Sequence, residues 1–222
     1  MEKFAIFDLD GTLLNTIEDI ANACNYALNK QGFPIHSVNP YRYFIGSGVM
    51  NLIKMALPEA SRNDETAILL KKDYDEYYSI HAKDNTSPYP GILKTLKKLN
   101  EAGVGMAVLS NKPHLSTLEL VDIYFPGLFN VVFGQRDGIP HKPDPGTVYE
   151  IIKLMNATKS KGFYIGDTSI DIETGKNAEL VTVGVLWGFR TKEELISSGA
   201  DFTISSPEDL LEIILAHSSI VE

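Results

Sequence analysis

Cysteine is almost absent from this chain, and long apolar or like-charged runs are missing from it. The single cysteine, Cys24, rules out an intramolecular disulfide framework, and its place on an apolar helical face favours a packing role. No apolar stretch approaches the length that spans a membrane, and the run Phe4–Phe7 before Asp8 is too short for a signal peptide. We therefore expect a cytoplasmic protein without a membrane partner.

Basic charge is also scarce. Twenty Lys and Arg residues stand against 29 Asp and Glu residues, which gives a formal net charge of −9 at pH 7. A nucleic-acid-binding protein needs a basic stripe or patch, so this balance argues against a nucleic-acid partner. Hydrophobic and charged contents of 44% and 22% are ordinary for a globular protein.

Apolar runs typical of strands recur along the chain and alternate with helical segments from Pro90 onward. These runs are Phe4–Phe7, Val104–Leu109, Val131–Phe133, Phe163–Ile165, Val181–Leu186 and Asp201–Ile204. Strands that alternate with helices predict an α/β fold, in which a parallel sheet carries helices on both faces.

The stretch 16–86 breaks this alternation. It contains no comparable strand, and its apolar spacing predicts helices at about Ile17–Lys30, after Gly48 and at about 65–81. A crossover of roughly 70 residues would be too long for a compact domain. We therefore predict an inserted helical subdomain at 16–86, within a core made of residues 1–15 and 87–222.

Two carboxylates follow the first strand. Asp8 and Asp10 stand one residue apart at the exit of Phe4–Phe7, and Gly11 lets the chain turn away. Neighbouring carboxylates repel one another, and a cation or a proton between them relieves that repulsion. A solvated acidic turn is the alternative that this motif alone leaves open.

Two more polar motifs follow predicted strands, which is where ligands bind in open parallel sheets. Ser110 and Asn111 come directly after Leu109 and precede a predicted helix, whose free N–H groups would favour an anion. Lys142 could neutralise phosphate oxygens as a point charge. Taken singly, these residues also fit a plain helix cap and a solvated lysine.

A fourth motif supplies the remaining carboxylates. Asp167 follows the strand Phe163–Ile165, and Asp171 shares its face if a helical turn begins there. With Asp8 and Asp10 they form an all-oxygen ligand set suited to Mg²⁺. Histidine and cysteine are missing near these strands, which argues against zinc.

Together these motifs resemble the haloacid dehalogenase superfamily, and specifically its phosphoglycolate-phosphatase-like hydrolases with an inserted helical cap. The resemblance covers essentially the whole chain, including Val185–Arg190 and Gly199–Asp201. It implies a Rossmann-like core, a Mg²⁺ cofactor and a small phosphorylated metabolite as substrate. Asn15 is a departure, because relatives usually carry an acidic residue there.

The resemblance also implies a role for each polar residue. Asp8 would attack phosphorus to form an aspartyl-phosphate, and Asp10 would protonate the leaving oxygen and then activate water. Magnesium would be held by the Asp8 carboxylate, the Asp10 backbone carbonyl and Asp167. Asp171 would act through water or by orienting other ligands. The phosphate oxygens would be bound by Lys142, the Ser110 hydroxyl and the Asn111 backbone N–H.

The loop from Arg42 to Gly48 is the predicted substrate-facing part of the cap. Gly46-Ser47-Gly48 resembles the cap loop of the family, and Arg42 could pair with a substrate carboxylate. A surface arginine and a flexible turn are the alternatives. We expect Arg42, Ser47 and Gly48 to influence substrate specificity.

The leading hypothesis is a magnesium-dependent phosphatase that acts on a small organic phosphate, with phosphoglycolate as the first candidate. Inorganic pyrophosphate, a nucleoside monophosphate or a sugar phosphate would fit the same scaffold, and a phosphosugar mutase would use the same Asp8. A receiver-type signalling domain also combines strand-end aspartates with magnesium, but it is much shorter and has no helical insertion. The oligomeric state is left open.

Overall fold

The computed structural model describes residues 3–216 and contains a six-stranded sheet in which all neighbouring strands run parallel. The strands are β1 (Phe4–Phe7), β2 (Leu14–Asn15), β3 (Ser87–Pro88), β4 (Gly105–Pro113), β5 (Val131–Gln135), β6 (Gly162–Gly166), β7 (Val181–Val185) and β8 (Phe202–Ile204). The α-helices are α1 (Ile17–Lys30), α2 (Tyr41–Phe44), α3 (Val49–Ala56), α4 (Asp64–His81), α5 (Ile92–Glu101), α6 (His114–Tyr124), α7 (Gly146–Leu154), α8 (Ser169–Asn177), α9 (Lys192–Ser197) and α10 (Asp209–Ala216). The sheet order is β5-β4-β1-β6-β7-β8, and the predicted α/β, Rossmann-like fold is confirmed.

Strand β1 lies inside the sheet because all four of its residues are apolar and fully buried. Successive side chains point to opposite faces of a sheet. Ala5 and Phe7 accordingly join the apolar cluster that contains residues of α5 and α10, whereas Phe4 and Ile6 join the cluster that contains residues of α7. Helices therefore cover both faces of the sheet.

The register of the middle strands brings their carboxyl ends to one edge. Phe7 of β1 pairs with Val108 of β4 and with Ile165 of β6. Polar residues that directly follow these three strands therefore lie at one edge of the sheet, which is the edge where open parallel sheets bind ligands.

Strand β4 differs from the prediction, since it continues to Pro113 and α6 begins only at His114. A residue before proline favours extended backbone, which keeps Lys112 out of the helix. Ser110 and Asn111 are thus strand residues. They precede α6 with Lys112 and Pro113 between, as predicted, but they are not part of its first turn.

The residues between β2 and β3 form four helices with an apolar cluster of their own. The cluster includes Cys24, whose predicted packing role is confirmed by its burial. Where the chain leaves and rejoins the core, Leu14 pairs with Pro88 and Asn15 with Ser87 in an antiparallel ribbon. We propose on this basis that 16–86 is a cap domain inserted into the core.

Asp19, on the first turn of α1, ties the two connections of the cap together. Its buried carboxylate accepts hydrogen bonds from the backbone N–H groups of Asn85 (3.0 Å) and Thr86 (2.8 Å). The Asn85 side-chain amide (2.8 Å) and the Thr86 hydroxyl (2.7 Å) donate to it as well. The start of α1 is therefore fixed to the segment that returns to the core.

Within residues 3–216, we find no helix with both the length and the apolar character that crossing a bilayer requires.

Candidate active site

Residues from all four polar motifs meet beyond the carboxyl ends of the middle strands. They are Asp8 and Asp10 after β1, Ser110 and Asn111 in the last part of β4, Lys142 in the loop before α7, and Asp167 and Asp171 after β6. Each is at most 8% exposed. A cavity of about 310 Å³ lies between this edge of the sheet and the cap helices, lined by Asp8, Asp10, Ser110, Asn111 and Lys142 among others.

Lys142 links two of the carboxylates. Its ammonium nitrogen lies 2.8 Å from Oδ1 of Asp8 and 2.7 Å from Oδ1 of Asp171, with its side chain 4% exposed. Burial alone would lower the pKa of Lys142, but the carboxylates of Asp171 and Asp8 outweigh it and raise that pKa well above its ordinary value. Lys142 is therefore a permanent cation in the site.

The carboxylates of Asp8, Asp167 and Asp171 form one compact group, with an oxygen from each lying within 4.8 Å of the others. Burial, opposed by Lys142 and reinforced by Asp171 and Asp10, raises the pKa of Asp8 to about 7. Burial and the neighbouring carboxylates of Asp171 and Asp8 also raise the pKa of Asp167 well above its ordinary value. Such shifts indicate a negative charge that the protein's own groups leave uncompensated.

Counting charges gives the same result. Four buried carboxylates (Asp8, Asp10, Asp167 and Asp171) face two buried ammonium groups (Lys112 and Lys142). With all four carboxylates ionised, two negative charges would be left over, which is the charge that one Mg²⁺ would balance. The atoms of the carboxylate group that could bind a cation are oxygens, which a hard divalent cation prefers. The site thus fits magnesium.

Asp167 is held from two sides. Its Oδ1 accepts a hydrogen bond from the Thr12 hydroxyl at 3.0 Å, and its Oδ2 accepts one from the Phe189 backbone N–H at 2.8 Å. A Cβ atom on either Gly11 or Gly188 would lie 2.3 Å from an atom of Asp167. These two positions therefore require glycine, because the backbone on both sides closes directly against the carboxylate.

Asp171 occupies the third position of α8 and completes a capping box. Its Oδ2 accepts hydrogen bonds from the backbone N–H (3.1 Å) and the hydroxyl (2.7 Å) of Thr168. Its Oδ1 is engaged by Lys142. Asp171 thus accepts from three donors, one of them the Lys142 ammonium, whereas Asp167 accepts from two neutral donors. This difference favours a role for Asp171 in orienting Lys142 and other ligands over direct binding of a metal.

Asn111 acts as a structural tie between the core and the cap. Its Oδ1 accepts a hydrogen bond from the Lys142 backbone N–H at 2.9 Å, and its Nδ2 donates to the Gly46 carbonyl of the cap loop at 2.9 Å. The hydroxyl of Ser110, which also lines the cavity, accepts a hydrogen bond from the Lys112 N–H at 3.3 Å. The Asn111 side chain thus fixes the loop that carries Lys142.

Lys112 is a site residue that the sequence analysis missed. Its ammonium nitrogen lies 3.1 and 3.2 Å from the two carboxylate oxygens of Asp10 and 4.7 Å from the centre of the Tyr78 ring. A signal was available, because residues two apart on a strand point to the same side, and Lys112 stands two residues after Ser110. Because the strand was predicted to end at Leu109, before a helix, the relation between Ser110 and Lys112 was not recognised.

The predicted cap residues are not equivalent in the structure. Gly48 lines the cavity, whereas Ser47 is exposed and does not line it. Arg42 does not line it either, because its guanidinium group donates hydrogen bonds to the backbone carbonyls of Gly188 and Phe189 in the core. The structure therefore gives Arg42 an interdomain contact in place of the predicted contact with substrate.

A single core loop receives that contact, and we call residues 187–190 the connecting loop. The side chain of Phe189 belongs to the apolar cluster of the cap, while its N–H holds Asp167. Arg190 donates hydrogen bonds to the backbone carbonyls of Arg42 and, at 3.0 Å, of Ile45. The connecting loop thus contacts the cap on one side and a carboxylate of the site on the other.

Known proteins are similar in sequence to nearly the whole of this chain. A family model described as haloacid dehalogenase-like hydrolase matches residues 5–185. The phosphoglycolate phosphatase of Aquifex aeolicus is 33% identical, over 97% of this chain and 98% of its own. The pyrophosphatase PpaX of Listeria monocytogenes is 32% identical, with 94% of each chain covered.

Solved structures agree with the sequence relatives. A candidate phosphoglycolate phosphatase of Lactobacillus delbrueckii subsp. bulgaricus superposes with a TM-score of 0.92 at 34% identity, over 97% of this chain and 99% of its own. The family model matches well over half of the chain, and the sequence and the fold indicate the same family. This protein belongs to the haloacid dehalogenase-like hydrolases, within their phosphoglycolate-phosphatase-like subgroup, and is a phosphatase.

Proposed function

We propose that this phosphatase depends on Mg²⁺ and hydrolyses a small organic phosphate monoester through an aspartyl-phosphate on Asp8, with phosphoglycolate as the first candidate substrate. The observation that carries the proposal is the buried ammonium of Lys142, bound to both Asp8 and Asp171 beside the third carboxylate of Asp167. This arrangement would combine a nucleophile, a fixed cation and a place for a divalent metal beside the cavity that Asp8 and Lys142 line.

The metal-binding part of the proposal uses the Asp8 carboxylate, the Asp167 carboxylate and the backbone carbonyl of Asp10. When bound there, Mg²⁺ would neutralise the phosphoryl oxygens and so allow a carboxylate to approach them. The Asp10 carboxylate itself faces Lys112, so its side chain is not part of the proposed ligand set.

Asp8 is the proposed nucleophile. Lys142 holds its Oδ1, and among residues 3–216 we find no hydrogen-bond donor to its Oδ2, which leaves an oxygen for attack on phosphorus. Lys142, Ser110 and Asn111 line the same cavity. The Lys142 ammonium, the Ser110 hydroxyl and the Asn111 backbone N–H would bind the phosphoryl oxygens, where charge collects in the transition state.

Asp10 is the proposed acid and base. It lines the same cavity as Asp8, so the two carboxylates could act on one phosphoryl group. It would give a proton to the leaving oxygen and later take one from the water that cleaves the aspartyl-phosphate. The cap helices cover the cavity and would keep other water away during the first step.

Inorganic pyrophosphate is the second candidate, favoured by the similarity to pyrophosphatase PpaX at 32% identity. A phosphosugar mutase would use the same residues but would return the phosphoryl group to the sugar. Family membership shows an enzyme, so a receiver-type phosphoacceptor is no longer an alternative.

A screen for phosphate release separates these candidates. The purified protein with Mg²⁺ would be given phosphoglycolate, pyrophosphate, a hexose phosphate and a nucleoside monophosphate. We expect phosphoglycolate to give the highest kcat/KM. A higher value with pyrophosphate would move the assignment to a pyrophosphatase, and an isomerised hexose phosphate with little free phosphate would move it to a mutase.

A further inference from the structure

Lys112 has more hydrogen-bonding capacity than the structure uses. An ammonium group carries three N–H donors. Among the described residues, the partners of this ammonium are the Asp10 carboxylate and the face of the Tyr78 ring. The side chain is 3% exposed and lines the cavity, so a further acceptor for it has to come from whatever the cavity binds.

The position of Lys112 relative to Asp10 limits what that acceptor can be. To protonate a leaving oxygen, Asp10 must approach it to about 2.6–3.2 Å. The Lys112 nitrogen lies 3.1 Å from the same carboxylate. A group that reaches Lys112 while the leaving oxygen is at Asp10 therefore belongs to the leaving-group side of the substrate, within about 9 Å of that oxygen.

Apolar side chains make up much of the cap side of the cavity. They include Ile45, Val49 and Leu52, and the Tyr78 ring lies against the ammonium of Lys112. Lys71 is a further cation among the described lining residues, but it is about one-third exposed and is paired with Asp75. A hydrogen bond from an ammonium to an anionic oxygen is stronger than one to a neutral oxygen, so the unused donor of Lys112 favours an anionic group of the substrate.

We infer that Lys112 is a specificity-determining residue that binds a second anionic group of the substrate, on the leaving-group side. The substrate class is therefore small phosphorylated acids, in which that group is a carboxylate or a second phosphoryl group. This inference rests on the proposed phosphatase function and adds the reason why a neutral leaving group of equal length would be a poor substrate.

The test compares a charged substrate with a neutral one of matched chain length. The ratio of kcat/KM for phosphoglycolate to that for ethyl phosphate would be measured for the wild type, Lys112→Met, Lys112→Arg and Lys71→Met. Lys112→Met should lower the ratio by about 10- to 100-fold, the value of a hydrogen bond to a charged group. Lys112→Arg should keep most of the ratio, and Lys71→Met, which removes the rim cation, should leave it within about twofold.

Using a ratio separates specificity from a general effect on Asp10. If Lys112 only positions Asp10, both substrates lose activity equally and the inference is wrong. A loss of discrimination in Lys71→Met would also overturn it. Pyrophosphate, measured in parallel, tells which anionic group is used: selective loss there, without loss for phosphoglycolate, would assign a second phosphoryl group.

Binding provides a readout that does not depend on turnover. Calorimetry would compare phosphoglycolate and ethyl phosphate on Asp8→Asn, with and without Lys112→Met. We expect the added substitution to remove the preference for phosphoglycolate, and an unchanged preference would contradict the inference. If the wild type hydrolyses none of the phosphates, the proposed function fails, while the calorimetric comparison still decides the role of Lys112.

Discussion

Asp8 and Asp10 are separated by one residue, yet their carboxylates have different partners. Asp8 is bound by Lys142 and grouped with Asp167 and Asp171, whereas Asp10 is bound by Lys112. Both residues lie beyond the end of β1, and the chain bends at Leu9, so strand alternation does not decide the direction of either carboxylate. Under the proposed mechanism the two lysines, which lie far from these aspartates in the sequence, would separate the roles of attack and proton transfer.

Magnesium and protons should compete for Asp8. Burial is the main reason that the pKa of Asp8 is raised to about 7, so below that value the metal-free site holds a proton that Mg²⁺ must displace. We expect the Mg²⁺ affinity, measured by calorimetry, to fall by about tenfold for each pH unit below 7 and to level off above it.

The control for this titration is Asp8→Asn, which cannot exchange a proton at that position. It should bind Mg²⁺ more weakly and lose most of the pH dependence. An affinity for the wild type that stays constant across the same pH range would contradict the proposed role of Asp8 as a ligand.

At the scale of elements, the cap and the core meet through the connecting loop. Phe189 places its ring in the cap and its N–H on Asp167, while Arg42 and Arg190 exchange hydrogen bonds across the boundary. The position of the cap and the position of a carboxylate in the site are therefore linked by one short segment.

Removal of the Arg42 side chain tests this link. Because its guanidinium binds core carbonyls and does not line the cavity, Arg42→Ala should lower kcat/KM for phosphoglycolate and for ethyl phosphate to the same extent, by about tenfold. Arg62→Ala is the matched control, since its hydrogen bonds stay inside the cap. A loss confined to phosphoglycolate would instead return Arg42 to the substrate contact that the sequence suggested.

The contact of Asp19 with the two connections between cap and core provides a stability prediction. Asp19→Asn replaces an acceptor-only group with one that places N–H donors against the donors of Asn85 and Thr86. We expect the free energy of unfolding to fall by about 2 kcal/mol in chemical denaturation. Asp84→Asn, on the same segment but at an exposed ion pair, should change it by less than about 0.5 kcal/mol. Equal changes in the free energy of unfolding for the two substitutions would argue against a stabilising contact of Asp19 with Asn85 and Thr86.

For the whole molecule, the sequence predicts which residues form the candidate site more fully than it predicts the contacts around them. Asp8, Ser110 and Asp167 could be predicted to lie together because strand ends in a parallel sheet fall at one edge, a rule that needs only the order of elements. Lys142 lies in the loop between β5 and α7, and its place beside them was predicted from the resemblance to a known family. The pairing of Lys112 with Asp10 depends on where a strand stops, which the apolar pattern places four residues too early. Local periodicity carries too little information to fix that boundary.

The cap was predicted as an insertion but not in its orientation. Whether Arg42 points to substrate or to the core depends on how four helices pack and how they dock on the connecting loop. The pattern of neighbouring residues in the sequence does not predict how these helices pack and dock. This explains why the fold and the acidic group follow from the sequence, whereas the specificity residues of the cap do not.

The central claim is that Asp8 carries the phosphoryl group during turnover. An aryl phosphate such as p-nitrophenyl phosphate needs little acid assistance, so Asp10→Asn should still be phosphorylated by it while hydrolysis of the intermediate is slowed. After acid quenching, peptide mass analysis should find one phosphoryl group on Asp8 of that variant and none in Asp8→Asn. Product release without a phosphorylated Asp8, or turnover that survives in a folded Asp8→Asn, would contradict the mechanism.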